Sequence, residues 1–200
     1  MLTDAQKAQI LQEAAEAAVR AEKQRGVPAE VCLAQFVLES GWGQKMSGKN
    51  NPFGIKAGPG QAGTDVTTTE FLTPGEVSKW RNRGKKLLSV GPVENGKSKV
   101  ICVDRFADYS SLDEAFDAYA ALITTGKYFK PSWTVYCAEC DEATTGAERA
   151  AAKEKYLASF VKVYATDPAY LAKVKQLING ARLSSALLAA RQVDTGVTEA

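Results

Sequence analysis

A glycine-rich segment over residues 41–65 constrains the fold of this chain more than any other feature. It contains seven glycines and two prolines, residues that are unfavourable inside both helices and strands. Apolar residues at helical spacing precede it and return from about residue 111, whereas β-branched residues follow it directly. The segment therefore separates helices from a small β region, and a loop of this length within a compact domain is usually functional.

Helices are predicted on both sides of this segment from their caps and their apolar spacing. Before it, one helix runs over residues 4–25 and a second over residues 28–40. The second is apolar on most sides, which predicts a central and buried position. The helices predicted after the β region span residues 111–123, 147–164 and 168–190.

A small antiparallel β lobe is predicted over about residues 66–108. The run DVTTTEFL is rich in β-branched residues, and Asn95–Gly96 lies between two β-like runs, as in a two-residue hairpin turn. Residues 125–146 are predicted to form an aromatic-rich loop, and residues 191–200 a polar tail. This order of elements predicts an α+β fold for a single domain over residues 1–190, with a groove between the lobe and the helices.

The absence of histidine limits the chemistry that the chain can perform. It excludes Ser-His-Asp and Cys-His mechanisms and most zinc sites, so acid–base catalysis falls to Asp, Glu, Tyr, Lys or Cys. The four cysteines, Cys32, Cys102, Cys137 and Cys140, include one CxxC pair. They show neither the paired spacing of a zinc site nor a βαβ context for redox chemistry. We therefore predict no metal and no cofactor.

The charge balance and the N-terminus also narrow the function. Lys and Arg number 25 against 23 Asp and Glu, a net charge of +2 without a dense basic patch, which gives no reason to expect a nucleic-acid partner. The first residues lack the basic start and apolar block of a secretory signal, and no segment reaches the ~18 apolar residues of a membrane span. We expect a monomer that is made in the cytoplasm and does not insert into membranes.

Glu39 stands at the boundary between the apolar second helix and the glycine-rich loop. The negative end of the helix dipole and the apolar neighbours should both disfavour the charged carboxylate. A carboxyl group that keeps its proton near neutral pH is suited to act as a general acid. Trp42, in the tight turn that follows, offers a flat apolar surface on which a sugar ring can stack. In the alternative interpretation, Glu39 is an ordinary solvated residue at a helix end.

The polar residues of the loop allow two interpretations. Asn50, Asn51 and Lys56 are suited to bind sugar hydroxyl and acetyl groups. They are equally suited to hold the loop's own backbone, since asparagine favours turns. The sequence leaves both interpretations open.

Four stretches of the chain, taken together and in order, carry a family resemblance. They lie within residues 28–180 and are LAQFVLESGWGQ…NNPFGIKA, VTTTEF, RFADYSSLDEAFDAYAALI and YATDPAYLAKVKQLI. They resemble the glucosaminidase family of peptidoglycan hydrolases, glycoside hydrolase family seventy-three. The resemblance implies a lysozyme-like α+β fold and cleavage of the β-1,4 bond after N-acetylglucosamine in peptidoglycan.

The resemblance also implies roles for individual residues. Glu39 matches the catalytic general acid, and Glu70 matches a second carboxylate on the β lobe. Tyr128 stands where the family has a tyrosine that orients the substrate. Asp108 and Tyr109 match residues near the substrate groove.

Physical reasoning about the second carboxylate favours the same residue but leaves alternatives. Glycoside hydrolysis usually needs an acid and a second carboxylate that acts as nucleophile or base. Glu70 follows the glycine-rich loop on a predicted strand and can face the groove, whereas Glu76, Asp104 and Asp108 are rivals. The substrate's own acetamido group could also supply the nucleophile.

These features together predict a peptidoglycan hydrolase whose partner is the glycan strand of the cell wall. The compact chain without a secretory signal predicts a phage lysin, which acts on the wall after release or as a virion component. A lytic transglycosylase or a muramidase on the same polymer is the first alternative, since the helix-end glutamate is shared. A non-catalytic wall-binding virion module is the second.

Overall fold

The computed structural model of the chain describes residues 3–165 and 167–195. They form two compact units: Met46–Ser110, here called the β unit, and the residues on either side of it, here called the helical unit. In chain order the elements are α1 (Asp4–Arg25), α2 (Ala29–Ser40), β1 (Gly63–Leu72), α3 (Pro74–Asn82), β2 (Leu87–Glu94), β3 (Lys97–Ala107), α4 (Leu112–Thr125), α5 (Lys130–Glu142), α6 (Gly146–Tyr164), α7 (Tyr170–Ile178) and α8 (Ala181–Thr195). Helices that precede and follow a small antiparallel sheet along the chain confirm the predicted α+β class.

Helix α2 is the central helix of the helical unit, as its apolar sequence predicts. Every residue from Ala29 to Val37 except Glu30 is buried. Helix α1 packs against α2, α4 and α8, while α7 and α8 also pack against α2. Enclosing α2 on most sides removes its apolar surface from water, which stabilises the unit and holds the C-terminal end of α2 in a defined place.

The caps of α1 lie where the sequence predicts them. Thr3 accepts a hydrogen bond from the Gln6 backbone N–H while the Gln6 side chain accepts from the Thr3 backbone N–H, a reciprocal capping box. At the other end Gly26 adopts a left-handed conformation (φ 77°) and donates its N–H to the carbonyl of Glu22. Glycine adopts this conformation without the steric cost of a Cβ atom, so the helix ends here.

The β unit contains a three-stranded antiparallel sheet in the order β1-β3-β2. The predicted hairpin joins β2 to β3, with Asn95 and Gly96 both at positive φ (49° and 78°), as a two-residue turn of the favoured type requires. Leu72, Val77, Val100 and Cys102 form the buried core of this unit. Because Val77 belongs to α3, this helix covers the sheet face on which the core lies.

Two helices occur where the sequence analysis did not predict them. Helix α3 interrupts the β lobe and begins with a capping box between Thr73 and Glu76, a local pattern that was present in the sequence. Helix α5 occupies residues 130–142, so the prediction of a loop over 125–146 was wrong. No residue of α5 is fully buried, which explains why its apolar pattern was weak; α5 instead packs on α6 through aromatic contacts such as Trp133 with Tyr156.

The C-terminal region also differs from the prediction. The helix predicted over residues 168–190 is two helices, α7 and α8, which are separated at Asn179 and Gly180. Helix α8 continues to Thr195, so the polar tail predicted to begin at residue 191 is helical at its start. Residues 196–200 of the predicted tail lie outside the described residues. Among the helices of residues 3–165 and 167–195, none has both the length and the apolar character needed to cross a membrane.

Candidate active site

Glu39 lies in the last turn of α2, one residue before the helix ends. Its Oε1 atom accepts a hydrogen bond of 2.6 Å from the hydroxyl of Tyr170, the first residue of α7. The prediction of apolar surroundings was wrong, because Glu39 is exposed. The continuous buried run of α2 ends at Val37, so the next turn carries Glu39 out of the core on the same side as Gln35, four residues earlier.

The turn after Glu39 is built from three consecutive residues in the left-handed region. Gly41, Trp42 and Gly43 have φ values of 56°, 63° and 77°. The buried hydroxyl of Ser40 donates to the carbonyl of Phe36 at 2.5 Å and accepts from the backbone N–H of Gly43 at 2.7 Å. These bonds tie the turn to the helix, and the chain leaves α2 sharply after the acid.

Gly43 is predicted to be the least tolerant glycine of this turn. A Cβ atom there would lie 2.4 Å from the side chain of Ile10 in α1, in addition to the strain of its positive φ. We expect Gly43→Ala to lower the free energy of unfolding by about 3 kcal/mol, the sum of left-handed strain and overpacking. Urea denaturation measures this loss.

Gly60→Ala is the matched control for this prediction. Gly60 has nearly the same φ (76°), but an added Cβ atom would meet nothing within 4 Å. Gly60→Ala should therefore lower the free energy of unfolding only through backbone strain, by about 1 kcal/mol. Equal losses at Gly43 and Gly60 would contradict the steric argument.

Behind Glu39, two buried residues continue the hydrogen bonding into the core of the helical unit. Gln35 Nε2 donates to the Tyr170 hydroxyl at 3.4 Å, and the Tyr119 hydroxyl of α4 donates to Gln35 Oε1. Gln35 is 0% exposed and Tyr119 1% exposed. The chain of hydrogen bonds therefore runs Tyr119, Gln35, Tyr170, Glu39, with each donor directed toward the acid.

Tyr119 and Tyr170, the two tyrosines of this series of hydrogen bonds, keep their protons near neutral pH. Burial, and then the hydrogen bond to the Glu39 carboxylate, raise the pKa of Tyr170. Burial raises the pKa of Tyr119 as well. Tyr170 is therefore a hydrogen-bond donor to Glu39 and not a competing anion.

Neither Gln35 nor Tyr170 was predicted from the sequence to be a site residue. One indication was available: Gln35 is the polar residue in an otherwise apolar run, four positions before Glu39 and therefore on the same helix face.

Trp42 lies beside the acid in sequence and beside Arg182 in space. The Arg182 guanidinium carbon is 4.5 Å from the centroid of the indole ring, a cation–π distance. Trp42 also lines a pocket of about 410 Å³ in the helical unit, together with Leu38, Leu177 and Leu183. A sugar that stacks on Trp42 would have to use the part of the ring that Arg182 leaves open, and this binding role stays a prediction.

Glu70 lies on β1, directly opposite Val100 of β3. Leu72, two residues along the strand, and Val100 both belong to the core of the β unit, so Glu70 shares this sheet face and is half-buried. Among the described residues it makes no hydrogen bond and no ion pair. Its charge nevertheless acts on Lys85, whose pKa is lowered by burial and by Lys56 while Glu70 opposes that change.

The three rival carboxylates all have structural partners. Asp104 is 1% exposed and ion-paired with Lys56 (2.7 Å) and with Lys85. Glu76 caps α3 by accepting from the backbone N–H and the hydroxyl of Thr73, and these bonds lower the pKa of Glu76. Asp108 holds the glycine-rich loop, as described next. Glu70 is thus the carboxylate of this group that is left without such a structural role.

Both asparagines of the glycine-rich loop bind backbone groups, either in the loop itself or in residues 107–109. Asn51 is 0% exposed and bonds the Ile55 carbonyl, the Ile55 N–H and the Ala107 carbonyl at 2.8–3.1 Å. Asn50 donates to the Tyr109 carbonyl at 3.1 Å. The loop-holding interpretation therefore accounts for both asparagines, and Asn51 has no exposed surface with which to bind a sugar.

Three other residues of the β unit, Asp108, Tyr109 and Lys56, were predicted to bind substrate. Asp108 accepts from the Lys49 backbone N–H at 2.7 Å and from the Thr64 hydroxyl at 3.0 Å. Tyr109 is buried, and its backbone N–H donates to the Lys49 carbonyl. Lys56 is exposed, and its ammonium group forms an ion pair with Asp104 at 2.7 Å, so its role in sugar binding stays a prediction.

Tyr128 lies in the turn between α4 and α5. It is 71% exposed, and the Lys127 ammonium group lies 5.9 Å from its ring centroid. Within the described residues, no three His, Cys, Asp or Glu side chains are grouped so as to hold a metal ion. The four cysteines are free thiols.

Comparisons with known proteins identify relatives of this chain. A family model described as Glucosaminidase, Mannosyl-glycoprotein endo-beta-N-acetylglucosaminidase, matches residues 15–183. The curated protein Peptidoglycan hydrolase FlgJ of Salmonella typhimurium is 31% identical over 166 residues, which are 79% of this chain and 41% of that protein. The chain therefore spans about two-fifths of the length of this relative.

Solved structures show the same fold. The glycoside hydrolase domain from Salmonella typhimurium FlgJ is 26% identical with a TM-score of 0.56, and the match covers 95% of this chain and 96% of that one. The catalytic domain of the autolysin Auto from Listeria monocytogenes is 24% identical with a TM-score of 0.60, covering 93% and 90%, and supports the fold alone. These matches confirm the α+β, lysozyme-like fold class.

Proposed function

Because the chain belongs to the glucosaminidase family of glycoside hydrolases, we propose that it hydrolyses the β-1,4 bond after N-acetylglucosamine in peptidoglycan. In this reaction Glu39 is the general acid that protonates the leaving oxygen. Glu70 is the second carboxylate, which activates water or acts as the nucleophile. The name of the curated relative, a peptidoglycan hydrolase, supports the choice of polymer, and the name of the Salmonella structure, a glycoside hydrolase domain, supports the kind of bond.

The observation that carries this proposal is the environment of Glu39. The carboxyl group stands exposed at the end of a buried helix, and Tyr170 holds one of its oxygens at 2.6 Å. A general acid needs both features, since it must reach a substrate and must keep a fixed orientation. The hydrogen bond to Oε1 supplies the orientation, and the exposure supplies the access.

Mass spectrometry of digested peptidoglycan tests the proposed bond and reaction. Purified sacculi treated with the protein should release fragments with new reducing N-acetylglucosamine ends. Reducing muramic acid ends would indicate a muramidase, and anhydromuramyl ends a lytic transglycosylase. Binding to sacculi without any cleavage would indicate a wall-binding module, and each of these three results would overturn the proposal.

We also propose that the protein is a phage lysin. In that case the protein is a monomer that acts on the wall after release from the host cytoplasm. The FlgJ relatives come from bacteria, so a bacterial wall hydrolase is the alternative that they favour. Expression in a host cytoplasm should leave the cells intact, and co-expression of a membrane pore should cause lysis. Cells that survive with the pore open would contradict the lysin proposal.

A further inference from the structure

Gln35 is a polar residue in the most buried helix of the molecule. Its neighbours along α2, Leu33, Phe36 and Val37 among them, are apolar and buried. Burying an amide costs free energy unless its hydrogen bonds are made. Gln35 makes them at both ends of the amide, to Tyr119 and to Tyr170.

The direction of these hydrogen bonds makes Tyr170 the donor and Glu39 the acceptor. Gln35 Oε1 accepts from Tyr119, so Nε2 faces Tyr170 and donates to its oxygen. A tyrosine hydroxyl has a single proton, so Tyr170 uses it to donate to Oε1 of Glu39. A reversed chain would require the Gln35 amide to turn over inside the core.

We propose that Gln35 is a positioning residue for the general acid, because it reserves Oε1 of Glu39 as an acceptor and thereby places the acidic proton on Oε2. This inference rests on the proposed role of Glu39. It adds a residue that touches neither the substrate nor the reacting atoms, and it assigns different tasks to the two oxygens of Glu39.

The cleavage step then uses the two oxygens differently. The Oε2–H bond of Glu39 breaks while the proton bonds to the glycosidic oxygen. The bond from that oxygen to the sugar C1 breaks, and its electron pair stays on the leaving oxygen. The oxygen of a water molecule bonds to C1, and the proton that this water loses passes to the second carboxylate of the proposed function. Glu39 is left as a carboxylate, and the hydrogen bond from Tyr170 strengthens because its acceptor now carries charge.

Substitution of Gln35 by methionine tests the inference, since methionine has similar length but donates no hydrogen bond. Two substrates separate the possible roles. A glycan strand has a sugar leaving group that needs protonation, whereas an aryl glycoside of the same sugar with a nitrophenolate leaving group does not. Glu39→Gln is assayed on both substrates, and the difference between its two rate losses measures how much less the aryl glycoside depends on proton donation.

On the glycan we expect Gln35→Met to lower kcat by about 10- to 100-fold, with KM unchanged within about 3-fold. This is the range for loss of the hydrogen bond from Tyr170 to Glu39, whose acceptor becomes charged in the cleavage step. On the aryl glycoside the loss should stay below about 3-fold, because no proton is donated there. Tyr119→Phe, which keeps the packing, should show a smaller loss with the same preference for the glycan.

Tyr156→Phe is the matched control. Tyr156 is 2% exposed and also belongs to the helical unit, but its hydroxyl has no hydrogen-bond partner among the described residues. Its removal should leave both activities unchanged. The control therefore separates loss of a buried hydroxyl from loss of this hydrogen-bond chain.

Two results would overturn the inference. One is an equal loss on both substrates for Gln35→Met and Tyr119→Phe, which would assign Gln35 a purely structural role. The other is a wild-type rate on the glycan for both variants. If instead Glu39→Gln retains full activity on the glycan, the proposed general acid itself is wrong, so the two failures are distinguishable.

Discussion

Glu39→Gln is expected to lower kcat on peptidoglycan by about 10²- to 10⁴-fold, the range attributed to general acid–base catalysis. Glutamine has nearly the shape of glutamate, and its amide oxygen can still accept the hydrogen bond from Tyr170. It has no acidic proton, so the glycosidic oxygen would have to leave as an alkoxide. Initial rates of release of reducing ends from purified sacculi measure the loss.

Glu13→Gln is the matched control for this substitution. Glu13 is an exposed glutamate on α1 with one hydrogen bond, to Gln9, so the same chemical change there should leave the rate unchanged. The melting temperature and the binding to sacculi should stay at wild-type values in Glu39→Gln, because the side chain is exposed and has similar volume. An unchanged rate of wall cleavage in Glu39→Gln would reject Glu39 as the general acid.

Glu70→Gln is expected to lower kcat on the same substrate by about 10²-fold, toward the lower end of the range for a catalytic carboxylate. The smaller effect is expected because the acetamido group of the substrate can partly replace a second carboxylate. Glu70 makes no hydrogen bond or ion pair within the described part of the chain, so its replacement should not reduce the free energy of unfolding. Kinetics and urea denaturation of the same preparation separate the two effects.

Two other carboxylates of the β unit, Glu94 and Asp104, provide the comparison for Glu70→Gln. Glu94 is an exposed glutamate on β2, and Glu94→Gln should be neutral in both assays. Asp104→Asn should instead be destabilising, by about 2 kcal/mol, because it removes the charge that Lys56 and Lys85 share at a nearly buried site. If Glu70→Gln works at the wild-type rate, the second carboxylate is not Glu70.

Several elements were predictable because a few adjacent residues encode them. Gly26 ends α1, and Asn95–Gly96 turns the hairpin, because each position needs a backbone conformation that few residues adopt. The apolar run of α2 predicted its central position for a similar reason, since only burial on most sides accommodates such a sequence. The motif from Leu33 to Ala57 then indicated both the family and the acid.

Other elements depended on packing that no local pattern describes. Helix α5 has a weak apolar pattern, because its aromatic residues pack against α6 without being fully buried. For α5, contacts with the neighbouring helix outweigh the weak local preference. The break between α7 and α8 was missed for a different reason: it falls at Asn179 and Gly180, a local helix-ending pair, but apolar residues at helical spacing continue on both sides of it.

The sequence by itself determined the family, the helices before and after a small β region, and Glu39 as the candidate acid, since caps, turns and motif residues act within a few positions of one another. The tertiary structure decided how that acid is held. Tyr119 and Gln35 are 84 positions apart, and Tyr170 lies 135 positions from Gln35 and 131 from Glu39. Hydrogen bonds over such separations form only when packing brings three helices together. The sequence also left open whether Glu39 is desolvated by its apolar neighbours or solvated at the helix end, and the folded helix decided for exposure.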